Sequence, residues 1–97
     1  MSTKYTCPAA ILTYEDAIEP IAEKICTRRT FEDESYVLWA RGDVRAAGMF
    51  RECADRQTPQ AEGLTEFVAK LFGLDYDDVM NDACERANAL YEERRGE

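Results

Sequence analysis

The chain has 97 residues, of which 45% are hydrophobic and 33% are charged, and its formal net charge is −8. This length and apolar content suffice for one packed domain over residues 1–97 and exclude wholesale disorder. The absence of histidine removes the usual general base at neutral pH and the commonest ligand of transition metals. Since the sequence also lacks a phosphate-binding loop and a nucleophile elbow, we expect no enzymatic activity, no cofactor and no metal ion.

The negative charge is concentrated in the C-terminal part of the chain. Residues 57–97 contain ten acidic and four basic side chains, so −6 of the −8 lies there. A strongly acidic small domain repels nucleic acid and anionic membranes and attracts basic surfaces. The alternative is that the charge serves only to keep a small protein in solution.

The sequence also predicts the cellular compartment of the protein and the state of its cysteines. No apolar run approaches the roughly 18 residues that span a bilayer, and the N-terminus MSTKYTCPAAIL is too weakly hydrophobic for a signal peptide. We therefore expect a cytoplasmic protein, in the host cytoplasm if a phage encodes it. In that compartment Cys7, Cys26, Cys53 and Cys84 are expected to be mostly buried thiols, with disulfides or a zinc site as the alternative.

The first predicted helix follows a short N-terminal lead-in over residues 1–12. Thr13 has a hydroxyl that suits a helix cap, and Asp16 stands in the capping-box position. We expect the helix to continue to Thr27, with Pro20 either kinking it or marking its true first turn. Apolar residues keep helical spacing along it: Tyr14, Ala17, Ile18, Ile21 and Ile25.

The second predicted helical region starts at Thr30, which is followed by three carboxylates in the first turn. Gly42 leaves two alternatives open. The region is either one helix or two pieces, 31–41 and 44–55, with Asp43 capping the second piece. Three bulky side chains of this region are expected to lie in the core: Trp39, Met49 and Phe50.

A loop is predicted over residues 57–63, QTPQAEG, because threonine, proline and glycine interrupt it. A further helix then runs from about Pro59 or Leu64 to Phe72 and ends at Gly73, where a left-handed backbone suits glycine. Asp75 is expected to cap a last helix that continues to about Arg94. The buried side of the first of these two helices is expected to contain Leu64, Phe67, Val68, Leu71 and Phe72.

These patterns predict an all-α fold, a compact bundle of four to five short helices. The bundle is expected to pack mainly through the corner at Gly73 and the segment that contains Trp39.

The corner at Gly73 resembles a helix-turn-helix motif over about twenty residues. Ala69, Gly73 and Val79 keep the intervals at which that motif places a small contact residue, a turn glycine and a packed aliphatic residue. The sequence departs from the motif at Asp82, where an apolar side chain is usual. The resemblance implies DNA binding through the second helix. That helix begins DYDDVMND, however, and carboxylates near phosphates oppose DNA binding.

Carboxylates on the last predicted helix form the candidate site. Asp78, Asp82 and Glu85 recur at i, i+4 and i+7 and so share one face, while Asp75 and Asp77 stand at its head. We call these five residues the acidic face. Such a row can imitate a row of phosphates and bind lysines and arginines. The alternative is an ordinary solvated helix face.

The leading hypothesis is a small acidic interaction domain that binds and inhibits a basic nucleic-acid-handling partner, either a protein or a nucleoprotein complex. In size and charge the chain resembles the inhibitors that phages carry against host defences, such as anti-CRISPR and anti-restriction proteins. That resemblance implies nucleic-acid mimicry by the acidic face. One alternative is a helix-turn-helix transcriptional regulator that contacts DNA as a dimer through Arg41, Arg45, Arg51 and Arg56. Another is a structural or assembly subunit that forms a homo-oligomer through exposed aromatic residues.

Overall fold

The structure of this chain is a computed structural model, and it describes residues 13–96. Three α-helices make up almost all of this range: α1 (Tyr14–Ala40), α2 (Val44–Phe72) and α3 (Tyr76–Arg95). The all-α class is confirmed, whereas the prediction of four to five short helices is wrong, because the described residues form three long helices. Within residues 13–96, no helix is both long and apolar enough to cross a membrane. The lead-in predicted over residues 1–12, with Cys7, lies outside the described residues.

Most helix ends lie where local side-chain chemistry predicts them. Thr13 Oγ1 accepts a hydrogen bond from a first-turn amide of α1 at 3.1 Å. The side chain of Asp43 does the same for α2 at 3.2 Å, so the chain breaks after α1 and restarts there. Gly73 ends α2 in the left-handed region with a φ of 67°. Asp75 precedes α3 as predicted, but its side chain makes no capping hydrogen bond.

The predicted break between Thr27 and Thr30 is wrong, since α1 continues through this segment. Thr30 Oγ1 donates a hydrogen bond to the carbonyl oxygen of Cys26 at 3.0 Å, which satisfies the hydroxyl within the helix. Pro20 also lies inside α1 and not at its first turn. Neither residue ends the helix, because α1 packs on both other helices along this part of its length.

The predicted loop over residues 57–63 is wrong as well, because α2 passes through it without a break. Pro59 removes one backbone hydrogen bond from the helix. Ala61, however, is buried in the main core cluster, and Thr65 Oγ1 donates to its carbonyl oxygen at 2.7 Å. Tertiary packing of this segment therefore outweighs the local preference of a proline and a glycine for a turn.

The three helices are arranged around α1. The α1–α2 connection is short, so these helices run antiparallel, and the ring of Phe72 near the end of α2 lies 5.6 Å from the ring of Tyr14 at the start of α1. Helix α3 lies beside α1 and runs parallel to it. It makes hydrogen bonds to α1 from Tyr14 to Asp33. Contacts between α2 and α3 are sparser than the contacts of either helix with α1. The core is therefore built on α1, and the corner at Gly73 contributes less to packing than predicted.

Small residues dominate the core. Among residues 13–96, eight of the 14 buried hydrophobic residues are alanines, and small side chains let helix axes approach closely. The main cluster joins all three helices, for example through Ile21 of α1, Val68 of α2 and Val79 of α3. A second cluster joins only α1 and α3, through Ala22, Cys26, Ala87 and Leu90.

The end of the α1–α2 hairpin extends beyond α3. We call residues 34–51 the hairpin tip. Trp39 and Met49, which were predicted to be core residues, are 62% and 63% exposed there, and Phe50 is half-buried against Phe31. The prediction for Trp39 and Met49 is wrong because α3 is too short to cover this part of the hairpin. The predicted burial of Phe67 and Leu71, near the other end of α2, is wrong too, since they are 62% and 52% exposed.

A matched pair of alanine substitutions tests the continuity of α2. A Cβ at Gly63 or at Gly73 meets no heavy atom within 4 Å, so neither change creates a clash. We expect Gly63→Ala to raise the free energy of unfolding by about 1 kcal/mol, because this position is helical. We expect Gly73→Ala to lower it by about 1–2 kcal/mol, because its φ is positive. Urea denaturation of both variants measures the two changes, and a neutral or destabilising Gly63→Ala would contradict a continuous α2.

Candidate functional site

The acidic face lies on α3 and is open to solvent. All five residues, Asp75, Asp77, Asp78, Asp82 and Glu85, are exposed. Among residues 13–96 none of them takes part in an ion pair. Asp78, Asp82 and Glu85 are four and three residues apart and so share one side of α3, next to the side that buries Val79, Ala83 and Ala87. The structure thus places these three carboxylates together on one exposed side of the helix, which we call its outer side.

Two of the three arginines of α3, Arg86 and Arg94, pair with carboxylates of α1. Arg86 makes two hydrogen bonds to the carboxylate of Glu19, with N–O distances of 2.8 and 3.1 Å. Arg94 makes two to Glu23, both of 2.9 Å. The Arg86 guanidinium holds the pKa of Glu19 below its usual value, chiefly through these hydrogen bonds. The carboxylates on the outer side of α3 therefore remain unpaired among residues 13–96, while the charges of Arg86 and Arg94 are neutralised at the border with α1.

Asp82 has a structural contact that the sequence did not predict. The hydroxyl of Tyr14 donates a hydrogen bond to Asp82 Oδ2 at 2.6 Å, which joins the start of α1 to α3. Burial raises the pKa of Tyr14, and the hydrogen bond and charge of Asp82 raise it further, to about 12. One oxygen of Asp82 is thus engaged within the protein. This contact also explains why a carboxylate stands where a helix-turn-helix motif has an apolar residue.

Asp77 belongs to a different surface from Asp78, Asp82 and Glu85. Burial raises the pKa of Tyr76, and the carboxylates of Glu62, Asp77 and Glu66 raise it further. Asp77 thus lies near the Tyr76 hydroxyl together with two acidic residues of α2. Glu62 and Glu66 were not predicted as part of this surface, because Glu62 was expected in a loop and the charges of the last two predicted helices were considered separately. Helical spacing alone would have indicated that Asp77 lies off the Asp78–Asp82–Glu85 row.

The corner at Gly73 keeps only part of helix-turn-helix packing. Ala69 and Val79 are buried, as the motif requires. Leu74 is 45% exposed, although the motif packs an apolar residue there. The two helices of the corner also make fewer contacts with each other than with α1. The corner therefore positions the start of α3 without forming the closely packed helix pair of that motif.

A cleft of about 470 Å³ opens where the three helices diverge. Two of its three basic side chains, Arg28 and Arg29, have partners within the protein. Arg28 donates to Thr58 at 3.4 Å and to Glu32 at 3.4 Å, while Arg29 donates to Asn88 and its guanidinium lies 4.0 Å from the ring centre of Tyr91. Lys24, which also lines the cleft, takes part in none of the ion pairs among residues 13–96.

The cysteines of the described chain are free thiols. Cys26 is buried, while Cys53 and Cys84 are partly buried. Within residues 13–96, no three histidine, cysteine or carboxylate side chains lie close enough together to hold a metal ion.

Comparison of the chain with protein-family models, with curated protein sequences and with solved structures finds no match.

The Tyr14–Asp82 hydrogen bond can be tested by measuring the pKa of Tyr14 spectroscopically. Among the tyrosines, Tyr14 should ionise near pH 12, and Asp82→Asn should lower this pKa towards the usual 10.0 without reaching it, because burial remains. Since the folded-state pKa is raised, the stability that Tyr14 contributes is complete below pH 10 and is lost as the pH rises towards 12. Ultraviolet titration of tyrosinate measures these changes.

Tyr14→Phe provides the assignment control, since it should remove the transition near pH 12. An unchanged titration in the Asp82→Asn variant would contradict the contact.

Proposed function

We propose that this chain is a small acidic interaction domain that binds and inhibits a basic nucleic-acid-handling protein. One observation carries the proposal. Asp78, Asp82 and Glu85 lie exposed on the outer side of α3 and form no ion pair among residues 13–96, while Arg86 and Arg94 are paired with glutamates of α1.

The spacing of these carboxylates suits a surface that normally binds phosphates. Successive members of the row are separated by three or four residues, which corresponds to a rise of roughly 4.5–6 Å along the helix. Phosphates of one DNA strand follow each other at a rise of about 3.4 Å. Both rows present negative charges a few ångströms apart along a nearly straight line. Lysines and arginines of a nucleic-acid groove can therefore pair with such a row through charge-assisted hydrogen bonds.

Charges elsewhere on the domain favour the same partner. Residues 57–97 hold ten acidic against four basic side chains, and Glu62, Glu66 and Asp77 form a second acidic surface around Tyr76. A field of this sign speeds encounter with a basic surface and opposes encounter with nucleic acid. Inhibition follows from competition, because a groove filled by α3 cannot hold its nucleic acid.

A charge-reversal variant tests the proposal. We expect Asp78→Lys combined with Glu85→Lys to weaken binding of the basic partner at least about tenfold, because two attractive charges become repulsive. Asp82 is left unchanged since its hydrogen bond to Tyr14 supports the fold. Affinity capture from a lysate of the source organism, followed by mass spectrometry, compares this variant with the original chain.

The matched control is Glu34→Lys combined with Glu52→Lys, which changes the net charge equally on the α1–α2 hairpin, away from the acidic face. The control should still capture the partner, and the captured partner should release its nucleic acid when the original chain is added. Equal capture by the Asp78–Glu85 variant, once circular dichroism shows that it is folded, would overturn the proposal. A shift of duplex DNA by the chain alone at low salt would favour the regulator alternative instead.

A further inference from the structure

The cleft of about 470 Å³ between the three helices is wide enough for a small molecule. It exists because α2 and α3 both pack on α1 and make few contacts with each other. Each of the three helices contributes apolar lining, for example Ile25 of α1, Ala61 of α2 and Met80 of α3. A molecule in the cleft therefore contacts all three helices and finds apolar side chains against which a hydrocarbon or aromatic body can pack.

The cleft gathers positive charge in a protein whose net charge is −8. Among residues 13–96 its lining contains three basic side chains, Lys24, Arg28 and Arg29, and two acidic ones, Glu32 and Glu62. Only one ion pair joins these groups, between Arg28 and Glu32 at 3.4 Å. The charges of Lys24 and Arg29 therefore have no carboxylate partner within the part of the chain that the structure describes.

Lys24 is the clearest unbalanced charge of the cleft. Its side chain is partly buried and takes part in no ion pair among residues 13–96. Lysine seldom loses its exposure to water without a partner. Arg28 stands one helical turn further along α1, so the two like charges share one side of the helix and repel each other. An anion beside both of them replaces this repulsion with attraction.

The two arginines keep N–H groups available for such an anion. Arg28 makes two hydrogen bonds within the described residues, both at 3.4 Å and so longer than usual, and its Nη2 atom takes part in neither. Arg29 donates through Nη1 to the neutral amide of Asn88, and its guanidinium is held 4.0 Å from the ring centre of Tyr91. A guanidinium fixed in this way is preorganised to bind an anionic group through its remaining N–H groups.

We propose that the cleft binds a small organic anion, a molecule that carries its charge on an apolar body. The anionic group lies beside Lys24, Arg28 and Arg29, and the body packs against Ile25 and Met80. Sites for small molecules have volumes of roughly 300–1,000 Å³, a range that includes this cleft. An inorganic anion leaves the apolar lining unfilled, and a neutral molecule leaves the cations unbalanced. This site is separate from the acidic face, and the inference does not depend on the proposed function.

Two fluorescent probes of the same shape test the need for negative charge. Anilinonaphthalenesulfonate carries one sulfonate on an aromatic body, and phenylnaphthylamine is the same body without the sulfonate. We expect the sulfonate probe to bind one site per chain with a dissociation constant in the micromolar range. The neutral probe should bind at least about tenfold more weakly, because it lacks charge-assisted hydrogen bonds to the cations. Inorganic phosphate at millimolar concentration should not displace the sulfonate probe. Fluorescence titration measures all three results.

A matched pair of lysine substitutions locates the probe. Lys24→Gln removes the unpaired charge of the cleft. Lys70→Gln removes an equal charge from an exposed lysine that pairs with Glu66 and is not part of the cleft lining. We expect Lys24→Gln to raise the dissociation constant of the sulfonate probe about tenfold, and Lys70→Gln to change it by less than about twofold. Circular dichroism of both variants shows whether they are folded.

Cysteine alkylation locates the probe in the original chain, without any substitution. Cys84 lines the cleft, whereas Cys53 is not part of its lining, and both are partly buried free thiols. We expect a saturating concentration of the sulfonate probe to slow alkylation of Cys84 by iodoacetamide about fivefold or more, because a bound molecule covers the lining. The rate at Cys53 should not change. Mass spectrometry of the cysteine peptides measures both rates.

Several outcomes would overturn this inference. Equal affinity for the charged and the neutral probe would show that the cations do not contribute, and displacement by inorganic phosphate would show that the apolar body does not. Absence of binding up to millimolar probe would leave the cleft without this function. A probe that does not protect Cys84, or that binds a folded Lys24→Gln variant as tightly as the original chain, lies elsewhere, for example at the exposed Trp39. If Lys24→Gln fails to fold, the protection of Cys84 in the original chain decides the question.

Discussion

Close packing on both sides of α1 is the constraint on which the rest of the structure depends. Ile21 of α1 is fully buried in a cluster shared with α2 and α3, while Ala22 and Cys26 are fully buried against α3. Because most of the core residues are alanines, each pair of helices gains its stability from close contact over a long stretch. Two helices therefore share one central partner. They need little contact with each other, and the cleft between them stays open.

The distribution of charge follows from this arrangement. Helix α3 lies close enough to α1 for Arg86 and Arg94 to reach the carboxylates of Glu19 and Glu23. Each pair is partly exposed, so its contribution to stability is modest. The larger effect of these ion pairs is on the distribution of charge around α3. They hold the positive charge of the two arginines beside α1 and leave the carboxylates on the outer side. The length of α3 has a second consequence, since a third helix of 20 residues cannot cover a hairpin of 27 and 29.

Helix ends could be predicted from the sequence wherever one residue decides them locally. Thr13 and Asp43 offer capping oxygens, and Gly73 adopts a backbone conformation that other residues rarely adopt. Helix continuity could not be predicted, because tertiary contacts decide it. Thr30 and Pro59 disfavour a helix locally, but packing of the neighbouring Cys26 and Ala61 outweighs them.

The same distinction applies to the candidate site. The row of Asp78, Asp82 and Glu85 follows from helical spacing and was predicted. The contact of Asp82 with Tyr14 joins residues 68 positions apart, so no local pattern reveals it. The exposure of Trp39 was also beyond local reasoning, because it depends on where another helix ends. A helical stripe predicts which residues share a face, and only the packing shows whether that face is covered.

Native-state hydrogen exchange of individual amides is the measurement that most directly tests the central position of α1. The account predicts that amides around Ile21–Cys26 exchange only through global unfolding, since this part of α1 contacts both other helices. Amides of residues 57–63 should also be protected, because α2 is continuous there. Faster exchange in α1 than in α3, or unprotected amides at residues 60–63, would contradict the account.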